Sequence, residues 1–146
     1  MIIIELLGGL GNQMFQYAFA VIIAKKNNTY IKLNNDFFNL IEEKVGHTPR
    51  KFELSIFNIP NNQVSKQKLK KFINLSKVNR FKKKISWNYP KIYLESSFSF
   101  QNEAMKIKEP AYVQGYFQSY KYIKNHKDYL RQFFTFPFEK LNEKNQ

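Results

Sequence analysis

The chain opens Met1-Ile-Ile-Ile-Glu-Leu-Leu7, turns through Gly8-Gly-Leu-Gly-Asn-Gln13 and runs on as Met14-Phe-Gln-Tyr-Ala-Phe-Ala-Val-Ile-Ile-Ala24. A short β-branched apolar run, a glycine-rich turn and a longer apolar run predict a strand, a loop and a helix in that order. Glycine lets the backbone take positive φ and come close to another surface. The helix that follows directs its unpaired first N–H groups and the positive end of its dipole back into the turn. Such a junction seats an anion or a sugar nucleotide, which points to an α/β enzyme handling a phosphorylated ligand.

The same turn admits plainer readings. Gly9-Leu-Gly11 begins like a dinucleotide fingerprint, but Met14 stands where the third glycine belongs. Asp36 is only loosely placed for the acidic residue expected some twenty positions on. A glycine-rich turn also serves simply to close a βα unit. Asn12-Gln13 adds a second possibility, since two amides at a helix start either cap it or reach outward to sugar hydroxyls.

Further along, Thr29-Tyr-Ile-Lys-Leu33 reads as a second strand, completing β-α-β. Residues 36–50 read as a short helix and a loop, and Phe52–Phe57 as a brief strand or docking segment stopped by Pro60. Between Gln63 and Leu75, the spacing of Val64, Leu69, Phe72 and Ile73 predicts a helix with lysines between them. Residues 77–84 form a basic link with little structural signal. Lys91–Leu94 and Ala111–Tyr116 are strand candidates, the second finished by Gly115. Ser119 is placed to cap a helix through Phe134, with Tyr122, Ile123, His126, Tyr129, Leu130, Phe133 and Phe134 on one stripe. The expected fold class is α/β: a partial Rossmann-like parallel sheet with helices on both faces, in a single domain spanning 1–146 with a basic insert at about 63–91.

Composition narrows the function. A hydrophobic content of 43% in 146 residues supports a packed core and argues against disorder. The absence of cysteine excludes disulfides and thiolate metal sites. The N-terminus has no basic n-region and carries Glu5, and Met14–Ala24 is too short to span a bilayer, so a cytoplasmic location is expected. The net charge of +13 is uneven, because no acidic residue falls between Leu54 and Leu94. Lysines and an arginine across residues 66–84 either form a solvated face or touch an anionic membrane at its inner surface. No nucleic-acid motif accompanies them, so no nucleic-acid partner is expected.

His47 and His126 are far apart and lack a carboxylate cluster, so no metal is expected; His126 reads as packing on an apolar stripe. No Gly-x-Ser-x-Gly elbow or Walker loop occurs. Two constellations remain: the Gly8–Gln13 turn, and Gln114-Gly-Tyr-Phe-Gln-Ser119 at a second strand-to-helix junction. Aromatic rings cover the C–H faces of sugars while amides pair with hydroxyls, although Tyr116 and Phe117 fit a core equally well. In an open α/β sheet both junctions belong at the carboxyl edge of the strands, where ligands bind.

Four segments together carry a resemblance: Gly8-Gly-Leu-Gly-Asn-Gln-Met-Phe-Gln-Tyr-Ala18, Lys51-Phe-Glu-Leu-Ser-Ile-Phe-Asn-Ile59, Tyr112-Val-Gln-Gly-Tyr-Phe-Gln-Ser-Tyr-Lys-Tyr122 and Leu130-Arg-Gln-Phe-Phe-Thr-Phe136. In this order they resemble the N-terminal half of the α-1,2-fucosyltransferase (galactoside 2-alpha-L-fucosyltransferase) family, as does Glu95 with Phe98 and Phe100 in a Glu-x-x-Phe-x-Phe block. The resemblance implies an inverting, metal-independent transfer of fucose from GDP-fucose to the 2-hydroxyl of a galactoside, in a GT-B architecture with sites in an interdomain cleft. It implies that Gly9, Gly11, Asn12 and Gln13 face that cleft near the donor. It also makes Glu95 a candidate catalytic carboxylate and Tyr116 and Gln118 candidate acceptor contacts. GDP-fucose enters as a substrate and no cofactor is implied. The family's His-x-Arg-Arg-Gly-Asp run, which clamps the donor phosphates, does not occur, and His47-Thr-Pro-Arg50 is no substitute. The C-terminal donor-binding domain is therefore expected to be absent and the isolated chain to transfer fucose poorly or not at all. A non-catalytic module binding carbohydrate or a membrane surface on the same fold is the alternative.

Overall fold

The computed structural model describes residues 1–41, 50–81 and 90–137. Strands β1 (Ile2–Glu5), β2 (Ile31–Asn34), β3 (Lys91–Leu94) and β4 (Ala111–Gln114) form a parallel sheet in the order β2-β1-β4-β3. Central β1 reads Ile-Ile-Ile-Glu because a strand flanked by neighbours and covered on both faces has no polar side to show. Helix α1 (Leu10–Lys26) carries β1 into β2. The chain then passes through α2 (Asp36–Ile41) and α3 (Lys66–Phe81) to the opposite edge, and β3 returns to β4. The order of strands therefore reverses between β1 and β4, and ligands of open α/β sheets collect outside the carboxyl ends at such a reversal.

Register decides which side chain meets which helix. Ile2 and Ile4 face one way with Leu33, Ala111 and Val113, and pack with α1. Ile3 and Tyr112 face the other way, onto Val64 and the α3 residues Leu69 and Phe72. Helices thus lie on both faces, as the expected βαβ layout requires. Helix α1 is buried nearly all round from Gln16 to Ala24 because a second layer wraps its outer side. Phe19 stacks on Phe117 at 3.9 Å between ring centroids, and Tyr17 meets Phe133 and Phe134 edge-on at 6.0 Å. Each fully buried ring of this kind stabilises the fold by roughly 1.5–3 kcal/mol relative to exposure.

Two expectations are corrected, and a third is narrowed. The continuous helix predicted from Ser119 through Phe134 is instead α4 (Tyr120–Ile123), a 3-10 turn (Lys124–His126) and α5 (Lys127–Arg131). Ser119 precedes α4 without a side-chain capping bond, and Asn125 in the break is a poor helix former. The apolar stripe survives the break: Tyr122 reaches Phe19 and Leu130 is buried, so the segment bends around α1 where a straight rod would leave it. Helix α3 runs on to Phe81 through part of the basic link that carried little signal; residues 82–84 lie outside the described region. The Phe52–Phe57 segment takes the docking reading rather than the strand one, burying Leu54 and Phe57 in the core through a 3-10 turn at Leu54–Phe57. The expected loop at 42–49, with His47, also lies outside the described residues.

Candidate functional site

The glycine turn leaves β1 at the centre of the sheet's carboxyl edge. Gly8 has φ +76, a conformation side chains resist, and any Cβ there would run into the Asn12 amide. Gly9 is the N-cap residue of α1 and has no side chain with which to cap it. A Cβ on Gly9 would lie 3.3 Å from Arg50 Nη1, so the guanidinium of Arg50 rests over the turn at the positive end of α1. Gly11 is exposed, and a methyl group there would meet no atom within 4 Å.

The two amides of this turn do different things. Gln13 is fully buried. Its Nε2 donates to the carbonyls of Gly8 at 3.0 Å and Lys51 at 2.8 Å, and its Oε1 accepts from the Glu53 N–H at 2.9 Å. It ties the glycine turn to the 51–53 segment and spends all of that polar capacity on backbone. Asn12 stays half-buried, and its Oδ1 accepts from Gln118 Nε2 at 2.6 Å. That bond joins the two strand-to-helix junctions across 106 residues of chain.

The second junction is organised by Glu95, just beyond β3. Its Oε2 accepts from the backbone N–H groups of Tyr116 at 2.7 Å and Phe117 at 3.0 Å. Phe117 has φ +51, unusual for a bulky residue, and is held there by this carboxylate and by its stack on Phe19. Gly115 makes the approach possible, because a Cβ at that position would overlap Glu95 Cβ and lie 2.8 Å from its Oε2. Tyr116 is half-buried with its ring 5.6 Å from that of Phe98, and Gln118 is exposed.

A crevice of about 560 Å³ opens at the strand-order reversal. Phe37, Phe98 and Tyr116 supply ring faces; Glu5, Glu95, Ser96, Ser97 and Gln114 supply polar groups; Leu7, Leu94 and Gly115 complete the lining. Of the residues singled out from sequence, Glu95 and Tyr116 line it. Gly9, Gly11, Asn12 and Gln118 are not among its lining residues, and Gln13 is buried beneath the turn. Gly11 borders a different hollow of about 370 Å³, mostly apolar, between the start of α1 and the Ile123–Phe134 segment.

Glu5 is the crevice residue that sequence reasoning missed. It ends β1, and the register places it on the same face as Asn34 of β2 and Tyr112 of β4. Asn34 Nδ2 donates to Tyr112 Oη at 3.1 Å, and Tyr112 is hydrogen-bonded in turn to Glu5. Glu5 Oε2 is buried with no hydrogen-bond partner. Burial raises its pKa above the usual carboxylate range, the Tyr112 hydrogen bond opposes this, and the charge of Asp36 adds to it. The Tyr112 phenol is itself pushed well above its ordinary value, by burial first and then by Glu5. The available signal was a carboxylate closing an otherwise apolar strand at its carboxyl end. Arg50, dismissed in sequence as part of a phosphate clamp, is brought onto the glycine turn only by folding.

Among the described residues no three histidine, cysteine, aspartate or glutamate side chains converge as a metal site, and no helix is long and apolar enough to cross a membrane. No protein-family model and no solved structure matches the chain. The chain is similar to the O-antigen biosynthesis glycosyltransferase WbnK of Escherichia coli, with 32% identity over 147 aligned positions. The match takes in 92% of this chain and 48% of that protein, so the chain spans about half the length of its curated relative. This likeness supports a glycosyltransferase and leaves the identity of donor and acceptor to the chemistry of the site.

Proposed function

We propose that the chain is the acceptor-side part of a glycosyltransferase of the GT-B kind that moves fucose from GDP-fucose onto the 2-hydroxyl of a galactoside, with inversion and without a metal. The observation that carries this reading is the crevice at the strand-order reversal, where three aromatic rings stand beside carboxylates and hydroxyls. Ring faces cover the apolar side of a pyranose while polar groups sort its hydroxyls. The glycine turn lies alongside, with the Arg50 guanidinium and the start of α1 providing positive charge for the diphosphate of a nucleotide sugar. The similarity to WbnK supports a glycosyltransferase, and the four segments resembling α-1,2-fucosyltransferases favour fucose as the group transferred.

In such a transfer the galactoside hydroxyl attacks the anomeric carbon from the face opposite GDP. The bond to the phosphate oxygen breaks with its electron pair on GDP, and the hydroxyl proton goes to a base. Glu95 is a positioning residue in this scheme, since its Oε2 holds the turn that presents Tyr116. The 146 residues contain no His-x-Arg-Arg-Gly-Asp run, so charge on the departing GDP is incompletely met by this chain alone.

A chimera joining these residues to the unmatched remainder of WbnK tests the proposal. With GDP-fucose and lactose it should form fucosyl-lactose, while the 146-residue chain alone should form little. A well-folded chimera that transfers a different sugar, or leaves GDP-fucose untouched, would refute the fucose assignment. Substantial product from the chain alone would refute the need for the arginine run.

The exposed Lys66, Lys68, Lys70 and Lys71 of α3 favour a second, compatible reading, peripheral contact with an anionic inner membrane face. Each lysine near such a surface contributes about 1 kcal/mol at physiological salt. Cosedimentation with phosphatidylglycerol vesicles should be strong at low salt and lost at 0.5 M. Equal sedimentation with neutral vesicles would remove that reading.

A further inference from the structure

Two carboxylates line the crevice, and their surroundings divide their labour. Glu95 has one oxygen committed to two backbone N–H groups, where it shapes the Gly115–Phe117 turn, and its Oε1, like Glu5 Oε2, is buried without a partner. Glu5 lines the crevice from the end of the central strand β1. One of its interactions is with Tyr112, which Asn34 orients from the far side, and its Oε2 has no hydrogen-bond partner although it is buried. A buried acceptor left unmatched forfeits free energy, so such an atom in a ligand-sized hollow marks a place for a donor.

We propose that Glu5 is the carboxylate that receives a hydroxyl of the acceptor sugar, with Tyr112 and Asn34 fixing its orientation. The proposal rests on the galactoside-acceptor reading given above and deepens it. The rings of Phe98 and Tyr116 flank the crevice, so a pyranose lying against them turns its edge toward the sheet, where Glu5 lies. A carboxylate rather than an amide at that position matches sugar hydroxyls, because hydrogen bonds to an ionised acceptor are roughly twice as strong as neutral ones. The ionisable groups facing Glu5 are Tyr112 from β4, Asp36 from α2 and, across the crevice, Glu95 beyond β3. Binding therefore follows the charge of Glu5. Lactose stabilises the ionised form, and its affinity falls as acid protonates the carboxyl.

The test uses the 146-residue chain, lactose as the probe and nuclear magnetic resonance. The Glu5 side-chain carboxyl resonance is titrated with pH, with and without saturating lactose. The expected result is a midpoint shifted to lower pH by lactose. Glu5→Gln should weaken lactose binding about 5–10-fold at pH 7.5, the scale of exchanging a charged for a neutral acceptor. It should also flatten the acid limb of the binding profile, and an acid limb that survives Glu5→Gln unchanged would overturn the role of Glu5. A Glu5 titration that lactose does not move, with lactose-dependent shifts at Phe98 and Tyr116, would overturn the role of Glu5 alone. No lactose-dependent shift anywhere in the crevice would overturn the acceptor reading and this proposal with it. The wild-type titration needs no variant, so it decides the matter even if Glu5→Gln misfolds.

Discussion

Replacing Gln13 with alanine separates two accounts of the glycine turn. In the structure the Gln13 amide makes three hydrogen bonds to backbone groups of Gly8, Lys51 and Glu53, at 3.0, 2.8 and 2.9 Å. Each such bond contributes a net of about 1 kcal/mol, and a buried group orphaned by deletion costs about 1–3 kcal/mol. Gln13→Ala strips partners from two carbonyls and one N–H and leaves a small void beneath the turn. The expected loss is therefore about 3–5 kcal/mol, a large part of the roughly 5–15 kcal/mol that holds a domain together. With a urea slope of about 1.5–2 kcal/mol/M, the unfolding midpoint should fall by about 2 M. Gln13→Glu should recover little, since a carboxylate keeps the Glu53 N–H but confronts two carbonyl oxygens. A midpoint displaced by less than about 0.3 M would refute the clamp. Unchanged stability with lost ligand affinity would instead place Gln13 among the binding residues.

Three other outcomes follow from the same geometry. Gly115→Ala should destabilise by about 1–3 kcal/mol in urea melts and shift the Tyr116 and Phe117 resonances, because the new methyl overlaps Glu95; a silent substitution would contradict the packing of that turn. Glu5→Gln should gain stability over wild type as pH rises. The folded-state pKa of Glu5 is raised from 4.5, so the folded chain binds the proton more tightly than the unfolded chain. Stability is then complete below about pH 4.5 and declines as pH climbs through the raised value, a decline the neutral variant lacks; parallel melting curves from pH 4 to 8 would contradict the burial of Glu5. Arg50→Ala should weaken GDP binding by the chain about 3–10-fold without changing the melting midpoint, whereas unaltered GDP affinity would remove Arg50 from the donor side.

Much of the fold was legible because its signals are local. The run Ile2–Glu5, the positive-φ Gly8 and the long apolar α1 each follow from residue type, and the β1–α1–β2 unit follows from their order. The end of the chain was legible as a buried stripe and illegible as a helix. Periodicity reports which residues face inward, whereas the bend at Lys124–His126 is set by packing Tyr122 and Leu130 around α1. For the site, Tyr116 stood out as a ring beside amides at a strand end and Glu95 through the family resemblance, and the two meet in the crevice. The burial of Gln13 could not, because its partners Lys51 and Glu53 are brought to it only by the docking of Leu54 and Phe57. Glu5 was hidden for a related reason. A lone carboxylate on a strand means little until register sets it beside Asn34 and Tyr112.

The account stands on the carboxyl-edge crevice being a sugar site. Its most direct test is an amide shift map of the intact chain titrated with lactose. Shifts should concentrate at Glu5, Ser96–Phe98 and Gln114–Tyr116, and saturate. Shifts gathered instead around Leu69 and Ile73 on α3, or along Met14 and Phe134, would contradict it, as would a spectrum that lactose leaves unchanged.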